Sequence, residues 1–254
     1  MQNLPFNDIW TLYSLAAHTP EYRKRYTRAL KKLISSDDVQ PAILDTACGI
    51  GFPSVDLYNE GFINLSCSDA SEEALQTIKE TINHQVYVFQ SQWEELSERT
   101  STRFDVVLNV DNSLVYMDGW NGRPLAGTLE SIFERILTAL GNFYKCLKPG
   151  GKLIVALTKK NSKGRVIDKI IFPEIAYKGE KVKFTWEVTF DWRTRIKTCA
   201  IYTNFKNQEN KVVIKSYIIT LEELRSLIEK AGFINIHTVK IPGIRDDLCV
   251  GYKP

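Results

Sequence analysis

Ala42-Ile43-Leu44-Asp45-Thr46-Ala47-Cys48-Gly49-Ile50-Gly51-Phe52-Pro53 is the stretch on which the fold turns. A short apolar run bounded by turn residues predicts a buried strand, and Cys48-Gly49-Ile50-Gly51 predicts a tight turn where backbone can approach a ligand closely. Phe52 to Tyr58 then reads as the start of a helix, since proline is tolerated in a first helical turn. The N–H groups at that helix start have no partner within the helix and face the turn. Strand, glycine turn and helix together open a nucleotide-binding α/β unit.

Downstream, Ile63 to Asp69 predicts a second strand ending in an acid, placed to accept hydrogen bonds from a ribose diol. Ser71 followed by Glu72 and Glu73 predicts an N-capped helix whose first turn suits the helix dipole. Gln85–Gln90 is a third strand, followed by a turn carrying Gln92 and Trp93. Phe104–Val110 is a fourth strand, nearly all apolar, leading into Asp111-Asn112-Ser113. A long helix from about Leu125 to Cys146 stops at Leu147-Lys148-Pro149-Gly150-Gly151, and Lys152–Leu157 is the fifth strand. Strands alternating with helices predict a parallel sheet covered on both faces.

After the fifth strand the period changes. Lys181–Phe190 alternates in steps of two, as do stretches near 196–205 and 211–219, which predicts an inserted antiparallel meander at about 172–219. A capping-box sequence at Thr220–Glu223 resumes the helix, Gly232 ends it, and two last strands near 233–240 and 247–253 bring the sheet to seven. Ahead of everything, Thr19-Pro20-Glu21-Tyr22 starts a helix to about 35, with a shorter one before it. The expectation is one domain over 1–254, with 1–36 as a helical cap.

The 254 residues are 44% hydrophobic, enough for one sizeable core. A net charge of +3 gives no electrostatic footprint for nucleic acid, and no apolar run is long enough to span a membrane. The first residues lack a basic start and an apolar signal core, so a cytoplasmic protein is expected. Five cysteines without a CxxC pair, and only three histidines, predict reduced thiols and no metal.

Two phrases, Leu44-Asp45-Thr46-Ala47-Cys48-Gly49-Ile50-Gly51 and Ser68-Asp69-Ala70-Ser71, resemble motif I and the following acidic motif of class I S-adenosylmethionine-dependent methyltransferases. A dinucleotide fingerprint would want a third glycine where Ser54 stands. The likeness is closest to glycine N-methyltransferase and its small-molecule kin. It extends through Trp10-Thr11-Leu12-Tyr13, Thr19 to Tyr22, Gln92-Trp93, Phe104 to Ser113 and the meander with Tyr177.

The resemblance implies a Rossmann-like, seven-stranded, mostly parallel sheet, S-adenosyl-L-methionine as cofactor and a small-molecule methyl acceptor. It implies that Trp10 and Tyr13 lie against the cofactor. Ala47, Gly49 and Gly51 would meet its methionine moiety, Asp69 its ribose, Gln92 and Trp93 its adenine, and the Val110 carbonyl its amino group. Asn112 and Tyr177 would hold the acceptor.

The chain departs from that pattern at three places. Where the family has an arginine for the cofactor carboxylate, His18 stands, with Arg23 and Arg25 as alternatives. Where it has an arginine after strand five, the chain has Thr158-Lys159-Lys160, and lysine is a point charge rather than a fork. Where it has a glycine before the asparagine, the chain has Asp111, which suggests an amino-bearing acceptor. Methylation at an amine nitrogen is expected, with O-methylation or non-catalytic cofactor binding as alternatives. Met117 to Pro124 is a candidate lid.

Overall fold

The computed structural model describes residues 6–35, 40–82, 85–117, 125, 127–158, 165–206 and 208–254. The chain forms two compact units. One comprises Tyr22–Leu114, Phe133–Lys159 and Thr220–Pro254; the other comprises Met1–Glu21, Val115–Ile132 and Lys160–Ile219.

The first unit is the Rossmann-like one. Its strands are β1 (Ile43–Asp45), β2 (Leu65–Asp69), β3 (Tyr87–Gln90), β4 (Phe104–Asn109), β5 (Leu147–Thr158), β11 (Ile234–Lys240) and β12 (Asp246–Tyr252). They lie in the order β11-β12-β5-β4-β1-β2-β3. All pairings are parallel except those of β12, which runs antiparallel to both β5 and β11. Helices α2 (Pro20–Ile34), α3 (Ser54–Asn59) and α4 (Glu72–Thr81) bury Tyr26, Leu30, Leu57, Leu75 and Ile78 against Ile43, Val106, Leu108, Ile154 and Val250. Strand alternation puts Leu44, Val107, Leu153 and Val155, also fully buried, on the opposite face. Helices α5 (Leu96–Arg99), α6 (Leu129–Cys146) and α7 (Leu221–Lys230) complete the helical set, and the expected capping box at Thr220 and Glu223 is formed.

Several boundaries differ from expectation, among them the start of the long helix α6, at Leu129 rather than Leu125. Strand β5 begins at Leu147 rather than Lys152, because its partner β4 admits a register shift and Gly150 takes up φ +75°. Lys253 closes this segment by pairing with Gly150 and Gly151 through backbone bonds of 3.0 and 2.8 Å. Helix α3 starts at Ser54, two residues late, because the Phe52 ring packs among Tyr22 and Tyr26.

The second unit holds α1 (Phe6–Ala17) and the antiparallel strands β6 (Arg165–Ile171), β7 (Ile175–Tyr177), β8 (Glu180–Asp191), β9 (Ile196–Phe205) and β10 (Gln208–Tyr217). Their order is β10-β9-β8-β6, with β7 paired to β8. The antiparallel structure therefore begins at Arg165, earlier than the residue-172 boundary drawn from the alternating pattern. Among the described residues, no helix is long and apolar enough to cross a membrane.

The glycine turn is held at both ends by one buried side chain. Asp45, fully enclosed at the end of β1, accepts from Ala47 N–H at 3.1 Å and from the Ser54 hydroxyl at 2.6 Å. Burial lifts its carboxyl from the ordinary 3.8 to about 7, against the pull of those two bonds. A native carboxyl that binds its proton more tightly than the unfolded one loses stability as pH rises from about 4 to about 7, and levels off above. Between pH 5 and 8 this amounts to roughly 3 kcal/mol. Urea denaturation at those two pH values is expected to show that loss in the wild type and a much smaller one in Asp45→Asn.

Gly51 adopts φ +122°, and a Cβ there would stand 2.5 Å from Cγ2 of Val55. Gly61, at φ +96°, has open space around it. Gly61→Ala is therefore expected to cost about 1–3 kcal/mol from backbone strain alone. Gly51→Ala should cost distinctly more in the same denaturation assay, because the stiff Val55 side chain must move as well.

Candidate active site

The turn opens at the C-terminal ends of β1 and β2, where open α/β sheets bind ligands. Gly49 has φ +48° and nothing within 4 Å of the Cβ position it lacks, so its backbone is accessible. Its N–H donates to Oδ2 of Asp69 at 2.9 Å, and the Ser71 N–H donates to Oδ1 at 2.9 Å. Burial raises the Asp69 carboxyl, and these backbone bonds oppose the rise. Each oxygen thus uses one lone pair on the protein and keeps another for a diol. A ribose-bearing ligand fits these acceptors.

Trp93 is locked to the turn, with its Nε1 donating to the Thr46 carbonyl at 2.6 Å. Gln92 precedes it with an exposed side chain. Thr46 is itself fixed to β4 by its N–H and hydroxyl, both on the Leu108 carbonyl, and its Oγ1 accepts from Asn109. Thus Ala47, Gly49, Gly51, Asp69, Trp93 and the start of the Gln92 turn share one edge of the sheet. Val110 is buried at the end of β4, and its carbonyl already accepts from both the N–H and the hydroxyl of Ser113.

Asp111 and Asn112 follow with φ of 55° and 57°, the left-handed region that Asp and Asn enter more readily than most residues. Asn112 is buried, and its Oδ1 accepts from the Thr158 N–H at 3.0 Å, tying the ends of β4 and β5 together. Its Nδ2 makes no hydrogen bond among the described residues. The Asp111 N–H donates to the Tyr26 hydroxyl at 3.4 Å, and buried Asp246 accepts from the Thr158 hydroxyl at 3.2 Å. Burial raises the Tyr22 phenol, with further pushes from Asp246 and Asp111 that the neighbouring Arg245 partly offsets. This carboxylate and phenol cluster is absent from the sequence reading, because Tyr22, Asp111 and Asp246 are brought together only by tertiary structure. Asp45 was legible in principle, as an acid inside an apolar run.

Of the alternatives for the cofactor carboxylate, Arg23 is committed to Asp56, with nitrogen–oxygen distances of 3.0 and 2.8 Å. Arg25 lies on the same helix, against Gly243. Lys159, Lys160 and the segment after Met117 up to Pro124 lie outside the described residues.

The remaining expected residues belong to the antiparallel unit. Trp10 meets Tyr13 edge-on at 5.3 Å, and Tyr13 meets Trp186 at 4.4 Å and His18 at 5.4 Å. His18 is buried, with Nδ1 3.2 Å from the Ser14 hydroxyl. Tyr177 donates to Oδ1 of Asp8 at 2.8 Å, and Lys178 pairs with the same carboxylate. Burial and the Asp8 bond both raise the Tyr177 phenol.

No family model matches the chain. Glycine N-methyltransferase of Rattus norvegicus is 25% identical over 96% of this chain and 71% of the relative. Among solved structures, the S-adenosylmethionine-bound CalS10 from Micromonospora echinaspora, an amino pentose methyltransferase, superposes with TM-score 0.72. It is 15% identical, with 100% of each chain covered. The sugar N-methyltransferase KedS8 from Streptoalloteichus gives TM-score 0.69 and 14% identity, covering 96% of this chain and 92% of the other. The solved structures share the fold, and the curated relative is similar in sequence along nearly all of the chain. With its pinned turn and acid, the chain thus has the fold of class I S-adenosylmethionine-dependent methyltransferases and is similar in sequence to one methyltransferase of small molecules.

Proposed function

We propose that the chain methylates an amine nitrogen of a small metabolite. The observation that carries this reading is the Asp111 carboxylate set directly before buried Asn112 at the end of β4, a negative group where a nitrogen acceptor would approach, with Arg245 over the neighbouring Tyr22 ring at 5.3 Å as local counter-charge. The names of the relatives agree with nitrogen as acceptor: one is a glycine N-methyltransferase and another a sugar N-methyltransferase.

The cofactor supplies a methyl group activated by attachment to a sulfonium. In this reading Asp69 and the Gly49 backbone hold the ribose, Ala47 and Gly51 line the methionine end, and Gln92 and Trp93 border the adenine. The Asn112 amide, oriented through its bond to Thr158, holds the acceptor, and the Asp111 carboxylate accepts a hydrogen bond from the attacking nitrogen. Orientation of the nitrogen lone pair contributes most of the rate, since in-line displacement chiefly demands alignment. The product nitrogen carries the positive charge that the sulfonium loses, and the Asp111 carboxylate beside it stabilises that charge. Tyr177, held by Asp8, has no chemical step.

Transfer of labelled methyl groups to a panel of small amines and matching alcohols tests this reading. Amines should be labelled, and Asp111→Asn should lower kcat/KM for them roughly 100-fold while leaving affinity for S-adenosylhomocysteine nearly unchanged. Asp69→Ala should weaken that affinity roughly ten- to hundred-fold by calorimetry. Label appearing only in alcohols, or unaltered turnover in Asp111→Asn, would refute nitrogen as the acceptor.

A further inference from the structure

The inner face of the antiparallel unit carries a buried lysine with one acceptor among the described residues. Lys197 is 8% exposed, near one end of a sheet face otherwise built from Phe184, Trp186, Val188, Phe190, Cys199 and Ile201. Its ammonium donates to the Tyr116 hydroxyl at 2.7 Å. Among the described residues, no carboxylate lies within ion-pair distance of it. An ammonium has three donors, and one neutral phenol oxygen satisfies only one of them.

Holding a cation in an apolar environment with one neutral acceptor is unfavourable. A methionine would fill the same space without that cost.

The surroundings hold further unmet polar capacity. Ser216 faces Lys197 across the β9–β10 ladder, is 1% exposed, and its hydroxyl has no hydrogen-bond partner. Buried polar atoms are paired in the great majority of cases, and here, among the described residues, an orphan hydroxyl stands directly across the ladder from an ammonium with one acceptor.

We propose that Lys197, with Tyr116 and Ser216, forms an oxyanion-binding site that takes the carboxylate or phosphate group of a small-molecule ligand. The ammonium supplies the charge, and the two hydroxyls supply short hydrogen bonds. The aromatic residues around it, Trp186 and Phe190 among them, exclude water and strengthen the attraction. This site is independent of the amine reading, which concerns the end of β4.

The test is a thermal melt titrated with sodium acetate or inorganic phosphate, against sodium chloride at matched ionic strength. The wild type should show a saturable rise in melting temperature with one of the two oxyanions and none with chloride. A response to acetate alone identifies a carboxylate ligand, and a response to phosphate alone identifies a phosphate ester. Lys197→Met should fold, melt no lower than the wild type in chloride, and lose at least ten-fold in oxyanion affinity. It should bind S-adenosylhomocysteine as the wild type does.

Ser216→Ala, the milder change, should weaken the oxyanion several-fold and serves alone if Lys197→Met does not fold. No oxyanion response in the wild type, or an equal response in the variants, overturns the proposal. Failure of the wild type to bind S-adenosylhomocysteine would instead count against the enzyme reading and leave the oxyanion result standing.

Discussion

A carboxylate sealed inside the parallel sheet governs the shape of the ligand edge. Asp45 receives one bond from the residue that leaves β1 and another from the residue that begins α3, so the intervening turn has both ends fixed to one side chain. With those ends fixed, Gly49 is held where its N–H meets Asp69 at the tip of the neighbouring strand. The Asp69 carboxylate is thereby positioned by backbone, and the backbone by a second acid. Such a chain of dependence explains why a polar group is kept in so apolar a place: an apolar residue would pack better and position nothing.

Both units bury polar groups, and some of these hold the fold together. In the parallel-sheet unit Thr46, Asn112 and Asn142 bond to backbone, and Asp45 bonds to both backbone and Ser54. Those groups carry the architecture. On the inner face of the antiparallel unit, among the described residues, the Ser216 hydroxyl has no hydrogen-bond partner and Lys197 across the ladder from it donates to one phenol oxygen. Orphan oxygens occur in the parallel-sheet unit as well, at Thr27 and Asn109. What sets Ser216 apart is the buried cation facing it.

Most of the architecture was legible because buried parallel strands are written as uninterrupted apolar runs, as at Phe104–Asn109, and because caps such as Thr220 and Ser71 use side chains with one obvious partner. Strand β6 escaped because its outward residues include Ile167 and Ile171, both exposed, alongside Asp168 and Lys169, so no clean alternation marks it. The start of β5 escaped because Pro149-Gly150-Gly151 has turn composition, although the ladder accommodates it through a register shift.

Asp69 could be found from its place at a strand end. Asp246, Tyr22 and Arg245 could not, since nothing local relates them. Lys197 sits in an alternating strand whose two phases, Lys-Cys-Ile-Thr and Ile-Thr-Ala-Tyr, are nearly equal in polarity. Only the ladder decides which one is buried.

Strand β12 lies between β5 and β11, with Leu248 and Val250 fully buried. It pairs with β5 along seven successive residues, from Asp246 with Thr158 to Tyr252 with Lys152. The ribosome therefore releases the whole antiparallel unit before it makes the strand that covers one side of β5. During that interval β5 presents an unprotected row of amides and carbonyls, the kind of edge to which other chains adhere. Biosynthesis of this chain is thus most vulnerable late, and a chaperone that shields sheet edges would matter more to its yield than one that assists helices.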